Sequence, residues 1–184
     1  MRKHILTMAM VATAPPVVTL AQEMSAEDKL KRGEYIVTTS SCHDCHTPFK
    51  MGENGPELDM ERTLSGHPES EVITEAAVLE GPWAAAVSMT NTAWSGPWGV
   101  SFTANLTPDP ETGVLRDYSE EQFLAALRSG RHLGQGRPIL PPMPWPVYGQ
   151  MTDEDLSAIY VYLRQIPAIR NKVPEPLPPT ATGN

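Results

Sequence analysis

The chain predicts a small all-α domain interrupted by one long, loop-rich insertion. Three amphipathic segments with explicit start signals predict the helices, and the turn formers between the first and second predict the insertion. In the first, Ser25-Ala26-Glu27-Asp28 resembles a capping box with Asp in place of Glu, and Leu30, Gly33, Ile36 and Val37 follow at helical spacing. The small Gly33 lets another helix approach closely. This helix is expected to run until just before Cys42 and to deliver the residues that follow. The middle is different: residues 52–68 hold several turn formers, and Gly81-Pro82 and Gly96-Pro97 break it again. Val72 to Leu79 suits a short helix or strand, Trp98 to Asn105 suits part of a small β-hairpin, and Pro108-Asp109-Pro110-Glu111-Thr112-Gly113 is a turn. The second helix starts at Ser119 with Gln122 as reciprocal cap, buries Phe123, Leu124 and Leu127, and stops near Gly130. The third starts at Thr152. Asp153, Glu154 and Asp155 favour its positive end, Met151 can staple over Leu156, and Leu156, Ile159, Tyr160 and Leu163 share one face before Pro167 ends it.

Cys42-His43-Asp44-Cys45-His46 carries the chemistry. Two thiols three positions apart with an imidazole directly after them form the attachment pattern of c-type haem. Each thiol can add across a haem vinyl group, and a short helical turn directs His46 at the iron. These are the two cysteines of the chain, so one attachment site uses both. Thioredoxin-like redox chemistry would need a surrounding βαβ pattern, which is missing, and a structural zinc would need a second ligand pair. Helices at both ends, with a haem site between them in sequence, suggest that the ends pack together. That sharpens "small helical domain" to a cytochrome c fold with an inserted loop-rich segment.

Residues 1–21 read as a secretory signal: basic Arg2-Lys3-His4, an apolar stretch from Ile5 to Leu20 broken by Pro15-Pro16, and Thr19-Leu20-Ala21 before the expected cut at Gln22. The apolar stretch has 16 residues, short of the roughly 20 that span a bilayer, and no later segment is apolar enough to do so. Residues 22–174 are expected to form a single monohaem domain and residues 175–184 a Pro-rich extended or disordered tail. The formal charge is −8, and removing Arg2 and Lys3 takes it to −10. A surface so acidic disfavours nucleic acid, whose phosphates are met by Lys and Arg. It favours a positively charged redox partner.

The iron's second axial position needs a ligand. Of Met24, Met51, Met60, Met89, Met143 and Met151, Met143 stands out. It lies in Ile139-Leu140-Pro141-Pro142-Met143-Pro144-Trp145-Pro146, where prolines stiffen the segment on both sides. Met89 and His132 are the competing ligands, and ordinary core packing is the alternative role for Met143. The carbonyl of Pro48 is expected to accept the outer N–H of His46 and orient its ring. Trp98, Trp145 and Tyr148 are placed to cover the haem or to pack as core aromatics, and Arg131 or Arg137 to meet a propionate. His67 is expected to make a structural hydrogen bond.

With these residues in hand, the chain resembles the class I c-type cytochromes, specifically the haem c domains of cytochrome subunits that accompany bacterial periplasmic dehydrogenases. Cys42 through Pro48 matches the attachment loop. Ala104-Asn105-Leu106-Thr107-Pro108-Asp109-Pro110-Glu111-Thr112-Gly113 is similar to the family's Asn-Ile-Thr-Pro-Asp-x-x-Thr-Gly segment. Pro142-Met143-Pro144 through Tyr148, with Met151 to Leu156 and Tyr162-Leu163-Arg164, is similar to its distal segment and last helix. The likeness covers roughly residues 27–166. It implies one haem c on Cys42 and Cys45, with His46 and Met143 as axial ligands. The departure is a single attachment motif where many relatives carry two or three.

The expected function is one-electron transfer in the periplasm by a six-coordinate haem, relaying electrons from a dehydrogenase toward a respiratory acceptor and making or breaking no substrate bond. The contrasting readings are a haem enzyme, such as a peroxidase or small-oxyanion reductase with His132 as proton donor, and a haem-stabilised interaction module.

Overall fold

The computed structural model describes residues 24–179. The expected secretory signal lies outside them, as do the last five residues of the expected tail.

Helix α1, Ala26–Thr39, is capped by Ser25, whose Oγ accepts from the Asp28 amide at 3.1 Å. Asp28 is one methylene shorter than Glu, and its carboxylate accepts a hydrogen bond from the Ser25 hydroxyl instead. The helix ends at Thr39 with Ser40 as its cap, just before the attachment motif as expected. Ser41 adopts the left-handed conformation at φ 61°, and a separate turn, α2, spans Cys42–His46. Helix α3, Glu120–Ser129, carries the complete Ser119/Gln122 capping box and ends at Gly130, also left-handed. A short helix, α4, follows at Trp145–Tyr148. The last, α5, spans Asp153–Leu163 behind the Thr152 cap and buries Leu156, Ala158, Ile159 and Leu163.

Helices α1 and α5 meet at Gly33. A Cβ there would stand 2.0 Å from the Ala158 carbonyl oxygen and 2.7 Å from Tyr162 Cβ. The backbones approach too closely for any side chain, which is the use of glycine at a helix crossing. Arg32 Nε donates to Asp155 at 2.8 Å across the same contact. Ile36, Val37, Leu64, Leu115, Phe123, Leu127, Leu156, Ile159 and Leu163 make one core. The two ends of the chain therefore pack against each other, with α3 closing the cluster.

The all-α expectation is overturned. Two small antiparallel sheets lie between α2 and α3. Strands β1, Phe49–Gly52, and β2, Gly55–Leu58, form a hairpin. Strands β3, Ala86–Val87, β4, Ala93–Gly96, and β5, Gly99–Phe102, form a three-stranded sheet in that order. The hairpin sensed near Trp98 exists, but it starts five residues earlier, with Trp98 in its turn. Residues 72–79 form neither helix nor strand. The strands were hard to see because none exceeds four residues, and β1 and β2 show no burial alternation. A period of two needs a longer run to register. Beyond α5 the chain is extended, and Leu177 pairs with Val100 through two backbone hydrogen bonds of 2.9 and 3.0 Å.

Candidate haem-attachment site

The left-handed Ser41 turns the chain sharply off α1, so that α2 presents Cys42 and Cys45 one helical turn apart on the same side. Both thiols are free and half-buried. Burial pushes the Cys42 thiol up to about 11, and burial followed by the Asp44 carboxylate raises Cys45. Redox-active Cys-x-x-Cys pairs depend on a lowered thiol pKa, so this pair is poorly suited to thiolate exchange at neutral pH.

His46 is buried, and its Nδ1 lies 2.8 Å from the carbonyl oxygen of Ala104. A carbonyl can only accept, so Nδ1 carries the proton and Nε2 keeps a free lone pair. Burial drives the imidazole pKa down, which favours the neutral ring. The orienting carbonyl is not that of Pro48, as expected from the sequence. The Pro48 carbonyl accepts from the Asp59 amide at 2.8 Å, just past the β1–β2 hairpin, and is committed there. Ala104 lies 58 positions from His46. Its segment was conspicuous in the sequence, but which of its atoms would meet the histidine was not.

Two clamps hold that carbonyl. Residues 64–67 run between the two partners: Gly66 N–H donates to the His46 carbonyl at 2.8 Å, Leu106 N–H to Leu64 at 2.9 Å, and His67 N–H to Thr103 at 2.9 Å. Gly66, at φ 77°, lies so close to Thr103 that a Cβ would stand 2.4 Å from its carbonyl oxygen. On the other side the buried Asn105 accepts from the Thr107 amide and hydroxyl at 3.0 and 2.7 Å. Its Nδ2 donates to the Ile169 carbonyl at 2.8 Å.

The Met143 segment reaches the same region from the far end of the chain. Met143 is half-buried and packs on the core. The carbonyl of Pro141 accepts from the Ser101 hydroxyl, and Ser101 Oγ accepts from Trp98 Nε1 at 3.2 Å, so the β4–β5 hairpin tethers this loop. Trp145 packs over Gly130, where a Cβ would stand 2.2 Å from the indole. Tyr148 donates from its hydroxyl to the Ser40 carbonyl at 2.6 Å. Its phenol is pushed up to about 12, first by burial and then by the neighbouring Cys42 and Cys45. Tyr148 thus brings the segment after Met143 beside the two thiols.

No protein-family model matches the chain. It is 30% identical over 162 residues to the gluconate 2-dehydrogenase cytochrome c subunit of Pantoea cypripedii, covering 88% of this chain and 28% of that protein. It is 29% identical over 152 residues to the cytochrome c subunit of the quinone alcohol dehydrogenase of Gluconobacter oxydans (strain 621H), covering 81% and 24%. The fructose dehydrogenase cytochrome subunit of Gluconobacter japonicus is 28% identical over 134 residues, covering 73% and 20%. The chain is a homologue of dehydrogenase cytochrome c subunits. It spans about a quarter of the length of these relatives.

The residues of this cytochrome-subunit homologue fit a covalently held haem. The donor set is two unpaired thiols and, one residue on, an imidazole whose outer nitrogen is already bonded and whose inner one is bare. Among the described residues no cluster of three or more His, Cys, Asp or Glu side chains could hold a metal ion by itself, which disfavours the zinc alternative. Of the methionines among the described residues, Met24, Met51, Met60 and Met89 are exposed, while Met143 and Met151 pack against the core. Met89, the methionine competitor, is 80% exposed.

The other histidines among the described residues have partners. His43 Nδ1 lies 3.0 Å from Thr47 Oγ1, and His132 Nδ1 lies 3.1 Å from the Tyr118 hydroxyl. His67 is fully buried, with Nε2 2.9 Å from the Glu71 carbonyl and Nδ1 2.9 Å from Thr92 Oγ1. Its Nε2–H donates to the carbonyl, and its Nδ1 accepts from the threonine. Burial lowers the His67 pKa most; Glu71 raises it by less, and Arg62 lowers it further.

The folded state therefore holds His67 neutral, whereas the unfolded chain takes up its proton near pH ~6.5. Its contribution to stability is complete above that pH and is lost as pH falls toward the folded value. We expect the urea midpoint to drop between pH 7.5 and pH 5, and to drop less in His67→Gln. An identical pH response in the variant would mean that His67 is not held neutral.

Proposed function

We propose that the chain is a monohaem c-type cytochrome that carries single electrons for a bacterial dehydrogenase in the periplasm. Cys42 and Cys45 would hold the haem covalently, and His46 and Met143 would supply the protein ligands to its iron. The observation that carries this reading is the Nδ1–Ala104 hydrogen bond of His46, made directly beside two free thiols on one helical turn. Bound haem supplies an iron that cycles between ferric and ferrous states.

The protein's part is to hold and to exclude. The Ala104 carbonyl fixes the ring of His46 and makes it a stronger donor. The Pro141–Pro144 loop, tethered through Ser101, presents a soft sulfur that favours the reduced state. Burial around α2 limits water. His132, which a haem enzyme would use as proton donor, is engaged with Tyr118. The names of the homologues support a dehydrogenase partner, and residues 1–21 support export. No helix among the described residues is long and apolar enough to cross a membrane.

Intact-mass measurement on protein exported from cells with haem-attachment machinery tests this directly. The expected result is the mass of one haem per chain, stable to acid extraction. Cys42→Ser should leave a single thioether and Cys42→Ser/Cys45→Ser none. Haem lost from the unaltered protein on acid extraction would refute covalent attachment.

A further inference from the structure

We infer that the cleft face formed by Val78, Trp83 and Val87, with Glu80 in its lining and Glu75 and Met89 close by in sequence, docks a redox protein that presents an apolar patch rimmed by Lys and Arg; this rests on the electron-transfer reading above. Val78, Trp83 and Val87 line one shallow cleft. Val78 is 88% exposed, Trp83 73% and Met89 80%. Large apolar side chains gathered so openly on one segment mark an interaction surface more often than chance exposure does, and an exposed Trp is the side chain most often found as an interface anchor.

The charge around the face specifies the partner. Residues 63–115 contain no Lys or Arg. Glu75 and Glu80 are exposed and make no ion pair among the described residues. A basic rim opposite them steers encounter and fixes orientation. A second copy of this chain would set Glu75 and Glu80 against the same charges, which disfavours self-docking.

The face is also joined to the attachment turn. Asn91, two residues past Met89, donates from Nδ2 to the carbonyl of Asp44 at 2.6 Å, and Phe49 N–H donates to the Thr90 carbonyl at 2.9 Å. Asp44 lies between the two cysteines. A partner seated on this face therefore bears on the chain segment that runs into the tether of α2 at Thr90 and Asn91.

Site-specific photo-cross-linking in the native cells tests the surface, with a photoreactive amino acid placed at Trp83 and, as control, at the exposed Tyr35 of α1. Position 83 should cross-link a dehydrogenase subunit through a peptide containing Lys or Arg, and position 35 should not. Adducts to a second copy of this chain, or to the subunit from position 35 alone, would overturn the inference. With that subunit purified, Trp83→Ser and Glu75→Lys/Glu80→Lys should each slow its reduction of the haem by about tenfold. Reduction by ascorbate and the haem spectrum should stay unchanged. An unaltered rate with the subunit would overturn the docking surface. A chain without haem would instead overturn the electron-transfer reading, and the two failures are separable.

Discussion

Replacing Met143 by Ala is expected to lower the reduction potential of the haem-loaded protein on the order of a hundred millivolts, within the about 0.8 V that axial ligation spans. Thioether sulfur favours ferrous over ferric iron; water or an imported imidazole in its place does not. The expected optical result is loss of the weak near-infrared methionine–iron band, with the covalent haem retained. Met151→Ala is the control, because Met151 also packs on the core yet sits just before the Thr152 cap. It should cost stability and leave the potential near its original value. A Met143→Ala protein with unchanged potential and band would transfer the ligand role to another methionine, with Met89 next in line; an unaltered protein that never shows the band would transfer it to His132.

Asn105→Ala is expected to destabilise the folded protein by roughly 3 kcal/mol, as expected for stranding buried polar groups. Asn105 is buried, and its side chain serves the Thr107 amide and hydroxyl on one side and the Ile169 carbonyl on the other. Alanine removes all of these bonds and leaves the Ile169 carbonyl to share Thr107 Oγ1 at 3.2 Å. Because residue 104 bears the carbonyl that holds His46, loosening residue 105 should also weaken the grip on that ring. Urea denaturation reads the stability, and a fall in the Nδ1–H proton's protection from exchange reads the loss at His46. Full stability in Asn105→Ala would mean that the clamp is carried by residues 64–67 alone.

The chemistry was legible because it is local. Two thiols and an imidazole within five residues need no tertiary structure to be recognised, and the Pro-flanked Met143 is similarly conspicuous. The helix starts were equally legible, since the Ser25, Ser119 and Thr152 caps each act on the amide three residues ahead. Gly33 also announced a close helix approach, and the 2.0 Å limit at Ala158 gives the reason.

The fold class and the orientation of His46 depend on longer distances. The strands among the described residues are at most four residues long and pair within hairpins, too short for a period of two to outweigh the helical signals, so the sequence reads as all-α. The acceptor for His46 was misassigned to Pro48 because sequence proximity favoured it, although the β1–β2 hairpin directs that carbonyl at Asp59. The acceptor is instead Ala104, brought across 58 positions by the Leu64–His67 segment. By itself the sequence determined which groups are available and where helices begin, because side-chain chemistry and capping act over a few residues. The tertiary structure decided which carbonyl holds the ring, which methionines pack against the core, and which apolar face is left uncovered, because each depends on the packing of segments far apart in the chain.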